Sequence, residues 1–98
     1  MEGLEFDWDE GNTNHFLIDN KERALLIEDV ESVFYDPKQI IEFDIEKNSE
    51  KRFRIIGKTS NGILITIIFI IRLRKVRPIT GWRLSNKNKN YKLYEKSR

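Results

Sequence analysis

Arg72, Arg74, Lys75 and Arg77 crowd into six residues, with Arg52, Arg54 and Lys58 on the stretch before them. A guanidinium fork can hold two phosphate oxygens at once and stays charged at any cellular pH. That suits phosphodiester binding and the stabilisation of a pentacovalent phosphorane. The competing account is a solvated hairpin whose bases pair with acids of the same chain, each exposed pair worth only ~0–1 kcal/mol. His15 is the single histidine, and so the one side chain with an ordinary pKa near neutrality, suited to general acid or base work. Its neighbours Phe16 and Leu17 equally suit a packed helix. Trp8, Trp82, Tyr91 and Tyr94 are of the type that stacks on unpaired bases, or that closes a small core.

The charge is split along the chain. Residues 1–50 carry 15 acids against 4 bases, a balance of −11, and residues 51–98 carry 14 bases against 1 acid, a balance of +13. The net +2 hides this dipole. The C-terminal half can neutralise phosphates, whereas the acidic half argues against an all-over polycation. With no cysteine, disulfides, thiolate metal sites and cysteine nucleophiles are excluded, and one histidine excludes a His-rich metal centre. No Walker loop, glycine-rich dinucleotide turn, Gly-x-Ser-x-Gly elbow or paired-carboxylate metal motif is present. No cofactor is expected. Asp7, Asp9 and Glu10 are the carboxylates to which a metal would be assigned if one proved necessary.

Ninety-eight residues, 39% hydrophobic and 35% charged, suit one domain over 1–98 with one modest core. The acidic N-terminus lacks the apolar stretch of a signal peptide. The longest apolar run, residues 63–71, falls far short of the about 20 residues of a spanning helix. A soluble cytoplasmic protein without membrane contact is the expectation. Leu4, Phe6 and Trp8 alternate with acids as in a short strand. The polar stretch from Glu10 running into residues 15–18 predicts a first helix of about three turns. Asp19 and Glu22 resemble a capping box ahead of a second helix, with Leu26, Ile27, Val30, Val33 and Phe34 at helical spacing, ending before Pro37.

From Gln39 onward the pattern is β. Ile41, Phe43 and Ile45 alternate with Glu42, Asp44 and Glu46, which predicts a strand with a solvated acidic face. Residues 52–58 and 63–71 follow as strands about an Asn61-Gly62 hairpin, the second of them central. Residues 72–75 make a charged turn, residues 76–80 a further strand with Pro78 at an edge or bulge and Gly81-Trp82 at its end, and Ser85 is placed to cap a last helix to Lys96. The fold class is α+β: an antiparallel sheet of four to five strands, two N-terminal helices packed on one face, and a C-terminal helix.

The segments 6–12 (Phe-Asp-Trp-Asp-Glu-Gly-Asn), 28–34 before Asp36-Pro37, and 52–62 resemble the BrnT family of toxins from bacterial type II toxin–antitoxin pairs. Phe69-x-x-Arg72, then 76–81 (Val-Arg-Pro-Ile-Thr-Gly) and Tyr94-Glu95, are similar to that family's closing signature, and the resemblance covers nearly the whole chain. It implies a RelE-like ribonuclease that cleaves messenger RNA without a metal, by attack of the substrate's own 2′-hydroxyl. The implied partners are RNA and a cognate antitoxin, with a homodimer or a toxin–antitoxin heterotetramer as the assemblies to test. Arg72 and Arg77 match the family's basic positions, and Arg54 and Lys58 match more loosely. His15, Arg72 and Arg77 are therefore the catalytic candidates, and Arg54, Lys58, Arg74, Lys75, Trp82 and Arg83 the RNA-binding ones. Two departures stand out. The family's Lys-His-Gly falls on Glu22, Arg23 and Ala24, and the terminal arginine of its signature falls on Trp82, with Arg83 next to it. The alternative is a catalytically inactive RNA-binding or antitoxin-binding protein on the same scaffold.

Overall fold

In the computed structural model, which describes residues 3–16 and 25–96, three helices accompany a four-stranded antiparallel sheet. The strands β1 (Ile40–Lys47), β2 (Glu50–Lys58), β3 (Leu64–Arg72) and β4 (Lys75–Arg83) lie side by side in chain order. The helices are α1 (Glu10–Asn14), α2 (Ile27–Val33) and α3 (Lys89–Lys96). Two-residue turns join β1 to β2 and β3 to β4. Asn48 (φ 53°) and Ser49 (φ 64°) make the first and Leu73 (φ 52°) and Arg74 (φ 65°) the second. Positive φ at both central positions matches the right-handed twist of the paired strands.

Partners across the ladder share a face and alternate residues oppose one another. One face carries Ile55, Ile67 and Phe69, which pack with Phe16 of the α1 end and with Leu25, Val30, Val33 and Phe34 about α2. The other carries Ile56 and Leu64, closed by Leu84 and Tyr94 of α3. Strand β3 is buried from Leu64 to Ile70, as its apolar run requires of an interior strand. Tyr94 holds α3 down by donating its hydroxyl to Asp36 Oδ2 at 2.7 Å, so the asparagine-rich helix does not depend on propensity alone.

Several expectations change. The Leu4–Trp8 segment is no full strand: it adds one parallel bridge, Phe6 to Val76, through two backbone hydrogen bonds on the outer edge of β4. Helix α1 runs from Glu10 to Asn14 and passes into a π turn at His15–Phe16, and residues 17–18 of the expected first helix lie outside the described residues. Helix α2 starts after Leu26, which makes no side-chain cap; Asp19 and Glu22 lie outside the described residues. The Asn61-Gly62 pair sits in a five-residue loop closed by Thr59, with only Gly62 at positive φ (82°), rather than in a two-residue turn. Strand β4 continues through Gly81 and Trp82 to Arg83. Asn88, not Ser85, caps α3, accepting from the Asn90 amide at 2.8 Å. Pro78 does mark a bulge, since Phe69 pairs with Pro78 and Ile68 with Thr80. In β1 the acidic face is not simply solvated, because Glu42 and Asp44 meet Arg54. Ile41 and Phe43 share the face of Ile55 and Phe53 but stay 48% and 55% exposed at its margin, and a bulge between Phe43 and Ile45 sets Ile45, 49% exposed, opposite Arg52 on the other face.

Candidate active site

The acidic opening segment is folded back against β4. Asp9 caps α1 by accepting from the Asn12 amide, and the Asn12 side chain returns the bond by accepting from the Asp9 amide at 2.8 Å. The same buried Asn12 side chain donates to the carbonyls of Asp7 (2.9 Å) and Pro78 (3.0 Å). One amide thus pins the opening segment, the start of α1 and the bulge of β4 together. The first turn of α1 is thereby fixed against β4, and the π turn at its end brings His15 Nε2 to 2.8 Å from Thr80 Oγ1.

A cleft of about 410 Å³ lies between α1 and β4, lined by Gly11, Asn12, His15, Arg77, Ile79 and Thr80. The fold therefore brings together His15 and Arg77, two catalytic candidates far apart in the chain. Arg77 is mostly buried, and Asp9 takes it end-on through Nη1 at 2.9 Å and Nη2 at 3.3 Å, while Asp7 takes Nη1 at 3.5 Å. A guanidinium has five N–H donors. These contacts leave the side edge formed by Nε–H and the second Nη2 hydrogen with no acceptor among the described residues. That edge is a two-donor fork of the kind that fits two phosphate oxygens. The Arg77 hydrogen bond is the main cause that holds the Asp9 carboxyl below its ordinary range, so Asp9 stays anionic and keeps the guanidinium oriented.

Arg72 is placed differently. It flanks the same hairpin, but Glu50 takes its side edge, Nε at 3.1 Å and Nη2 at 3.0 Å. This bidentate pair pulls the Glu50 carboxyl down and the Arg72 guanidinium up. Lys75 meets Glu5 at 3.9 Å, and Arg54 meets Glu42 and Asp44, each at 3.4 Å. Lys58 lies 5.8 Å over the Tyr94 ring, and Trp82 packs against the Ile56–Tyr94 cluster. The acidic half of the chain thus neutralises much of the basic cluster, through the opening segment and the strands rather than through the helices. Among the described residues Arg52, Arg74 and Arg83 have no carboxylate within ion-pair distance. Of the other aromatics, Trp8 is spent on the core and donates Nε1–H to Glu31 at 2.8 Å.

Sequence reasoning missed three participants: Asn12, Thr80, and Asp9 as the partner of Arg77. The Asp9–Asn12 capping box was findable from its spacing, but it uses asparagine where glutamate or glutamine is the usual signal. The Thr80 contact spans 65 residues and leaves no local trace. The residues matching the family's Lys-His-Gly, Glu22, Arg23 and Ala24, lie outside the described residues. No group of three or more His, Asp or Glu among the described residues is arranged to hold a metal ion. No described helix is long and apolar enough to cross a membrane. The model of the family described as "ribonuclease toxin, BrnT, of type II toxin-antitoxin system" matches residues 8–88. No curated protein matches the chain.

Proposed function

Since the chain belongs to the BrnT family of ribonuclease toxins of type II toxin–antitoxin systems, we propose that it cleaves messenger RNA in the cleft between α1 and β4. The observation that supports this reading is the meeting of His15 with an Arg77 whose unused edge is a preformed phosphate fork. In the proposed step the scissile phosphate lies on Arg77 Nε and Nη2. The 2′-oxygen of the substrate forms the new P–O bond as the P–O5′ bond breaks, giving a 2′,3′-cyclic phosphate and a 5′-hydroxyl. His15, its ring held by Thr80, takes the 2′-hydroxyl proton and returns it to the leaving oxygen. Positioning and a fixed charge aimed at the phosphorane supply much of the acceleration, and no metal takes part.

Arg52, Arg74 and Arg83 attract the RNA backbone, and Arg72, with its fork on Glu50, supports them at the hairpin rim. The antitoxin is the protein partner the family implies. One observation favours the second reading, a protein that binds without cutting: Arg77 already carries two carboxylates, which leave the Arg77, Asp7 and Asp9 group with a net negative charge. Incubating purified protein with a labelled RNA in EDTA separates the two. Products ending in 2′,3′-cyclic phosphate support cleavage as written. Retained RNA binding with intact RNA supports the binder, and cleavage that needs added Mg²⁺ contradicts the metal-free step.

A further inference from the structure

The two edges of the sheet are treated unequally. The outer edge of β4 is covered by the opening segment, with Asp7 N–H donating to Val76 O at 2.8 Å and Val76 N–H to Glu5 O at 2.9 Å. Strand β1 pairs only with β2, and among the described residues nothing pairs with its other edge over Ile40–Lys47. An open edge of eight residues is a template for another strand. Its side chains compound the exposure, since Ile41, Phe43 and Ile45 are each about half exposed. Phe43 continues an aromatic row into the core, 6.2 Å from Phe53, which is 5.7 Å from Phe69. No proline or lysine stands in β1 between Ile40 and Glu46, and its bulge between Phe43 and Ile45 leaves residues 40–43 as the regular stretch of the open edge.

We propose that the open edge of β1 receives an extended segment of a partner protein in which apolar residues alternate with lysine or arginine. The charge pattern selects this occupant. The residues between the apolar ones are all acidic: Glu42 and Asp44 share the single Arg54, and Glu46 has no ion-pair partner among the described residues, so the strand keeps a negative balance. A second copy of β1 paired edge to edge, with apolar residues aligned, sets acids against acids, and like charges directly opposite destabilise a strand pair. The same acids repel an RNA backbone. A strand with bases at those positions pairs its backbone with β1, covers Ile41 and Phe43, and meets the acids with opposite charge. In the toxin reading this partner is the antitoxin, and only that identification rests on the reading.

The test uses the full-length protein and does not involve RNA cleavage, so it can fail or succeed independently of the ribonuclease proposal. Isotope-labelled protein is titrated with a capped eight-residue peptide of alternating isoleucine and lysine, matched to the length of β1. Controls are a block-scrambled peptide of the same composition and a version with glutamate for lysine. Expected are amide shifts concentrated on 40–47, and affinity lowered by about tenfold or more in Phe43→Ser, the scale for losing an interfacial aromatic. Glu46→Lys, at an exposed residue without an ion-pair partner among the described residues, also weakens binding. Unchanged amide shifts along β3 show that both variants are folded. Equal binding of the scrambled or glutamate peptide, shifts centred elsewhere, no binding at millimolar peptide, or doubling of the protein's own mass through β1 would each overturn the proposal.

Discussion

Replacing Asn12 by alanine should damage the protein more than an exposed-helix substitution has any right to. The side chain is 5% exposed and makes three hydrogen bonds, two as donor to Asp7 and Pro78 carbonyls and one as acceptor from the Asp9 amide. At about 0.5–1.5 kcal/mol net for each bond, the loss is roughly 3 kcal/mol. A domain of this size loses about 4–8 °C of Tm per kcal/mol, so thermal unfolding followed by circular dichroism should show a fall of roughly 12–24 °C. Asn12→Asp tests the direction of the bonds. It keeps the acceptor but faces the two carbonyls with a carboxylate, so burial and like dipoles raise its pKa. Its defect at neutral pH should therefore match or exceed that of alanine and ease as pH falls and the group protonates. In cleavage assays well below either Tm, both variants should lose activity, because the pin sets α1 against β4. A fall of less than about 4 °C, the lower bound for a single kcal/mol, would refute the pin.

Three further outcomes follow from other contacts. Burial alone would raise the Asp36 carboxyl, but hydrogen bonds from the Lys58 and Lys38 amides and the Tyr94 hydroxyl outweigh it and hold the group below its ordinary 3.8. Its stabilising contribution is thus present above that value and lost as pH falls through the lower folded value; Tyr94→Phe should flatten this acid loss and cost about 1.5 kcal/mol at neutral pH, read by denaturant titration. In Gly57→Ala the added Cβ meets Val33 Cγ1 at 2.9 Å and Asp36 Oδ2 at 3.2 Å, so α2 must lift from β2, with a destabilisation of about 1–3 kcal/mol by the same measurement. Affinity for single-stranded RNA should fall with salt at a log–log slope of about −0.7 per phosphate neutralised, and Arg74→Ala should make that slope shallower, since Arg74 has no competing carboxylate among the described residues.

Local patterns were legible where one physical demand dominates. The run 63–71 could only be an interior strand, Pro78 only an edge or bulge, and Tyr94 had to pack if an asparagine-rich helix was to hold. Alternation in β1 was equally plain, yet it does not report what covers each face. Ile41 and Phe43 share the face of Ile55 and Phe53 but stay half exposed, and Glu42 and Asp44 meet the partly buried Arg54, an outcome set by register rather than by local pattern. The charge dipole pointed to the basic half. Which bases remain available depended on how the chain folds back, with Glu5, Asp7 and Asp9 taking Lys75 and Arg77 and leaving Arg74 and Arg83. His15 and Arg77 were legible as residue types, but their shared cleft depends on a buried asparagine whose contacts are long-range.

The central claim, that the phosphate reacts on the open fork of Arg77, is tested most directly by single-turnover cleavage of one RNA by Arg77→Ala, with Arg72→Ala beside it. The claim requires Arg77→Ala to lose roughly 100-fold or more, the scale for removing one preorganised donor, and Arg77→Lys to recover only part of that, since lysine cannot fork. Arg72→Ala, whose fork is already held by Glu50, should lose far less. Arg77→Ala cleaving at the wild-type rate, or Arg72→Ala losing more than Arg77→Ala, would contradict it.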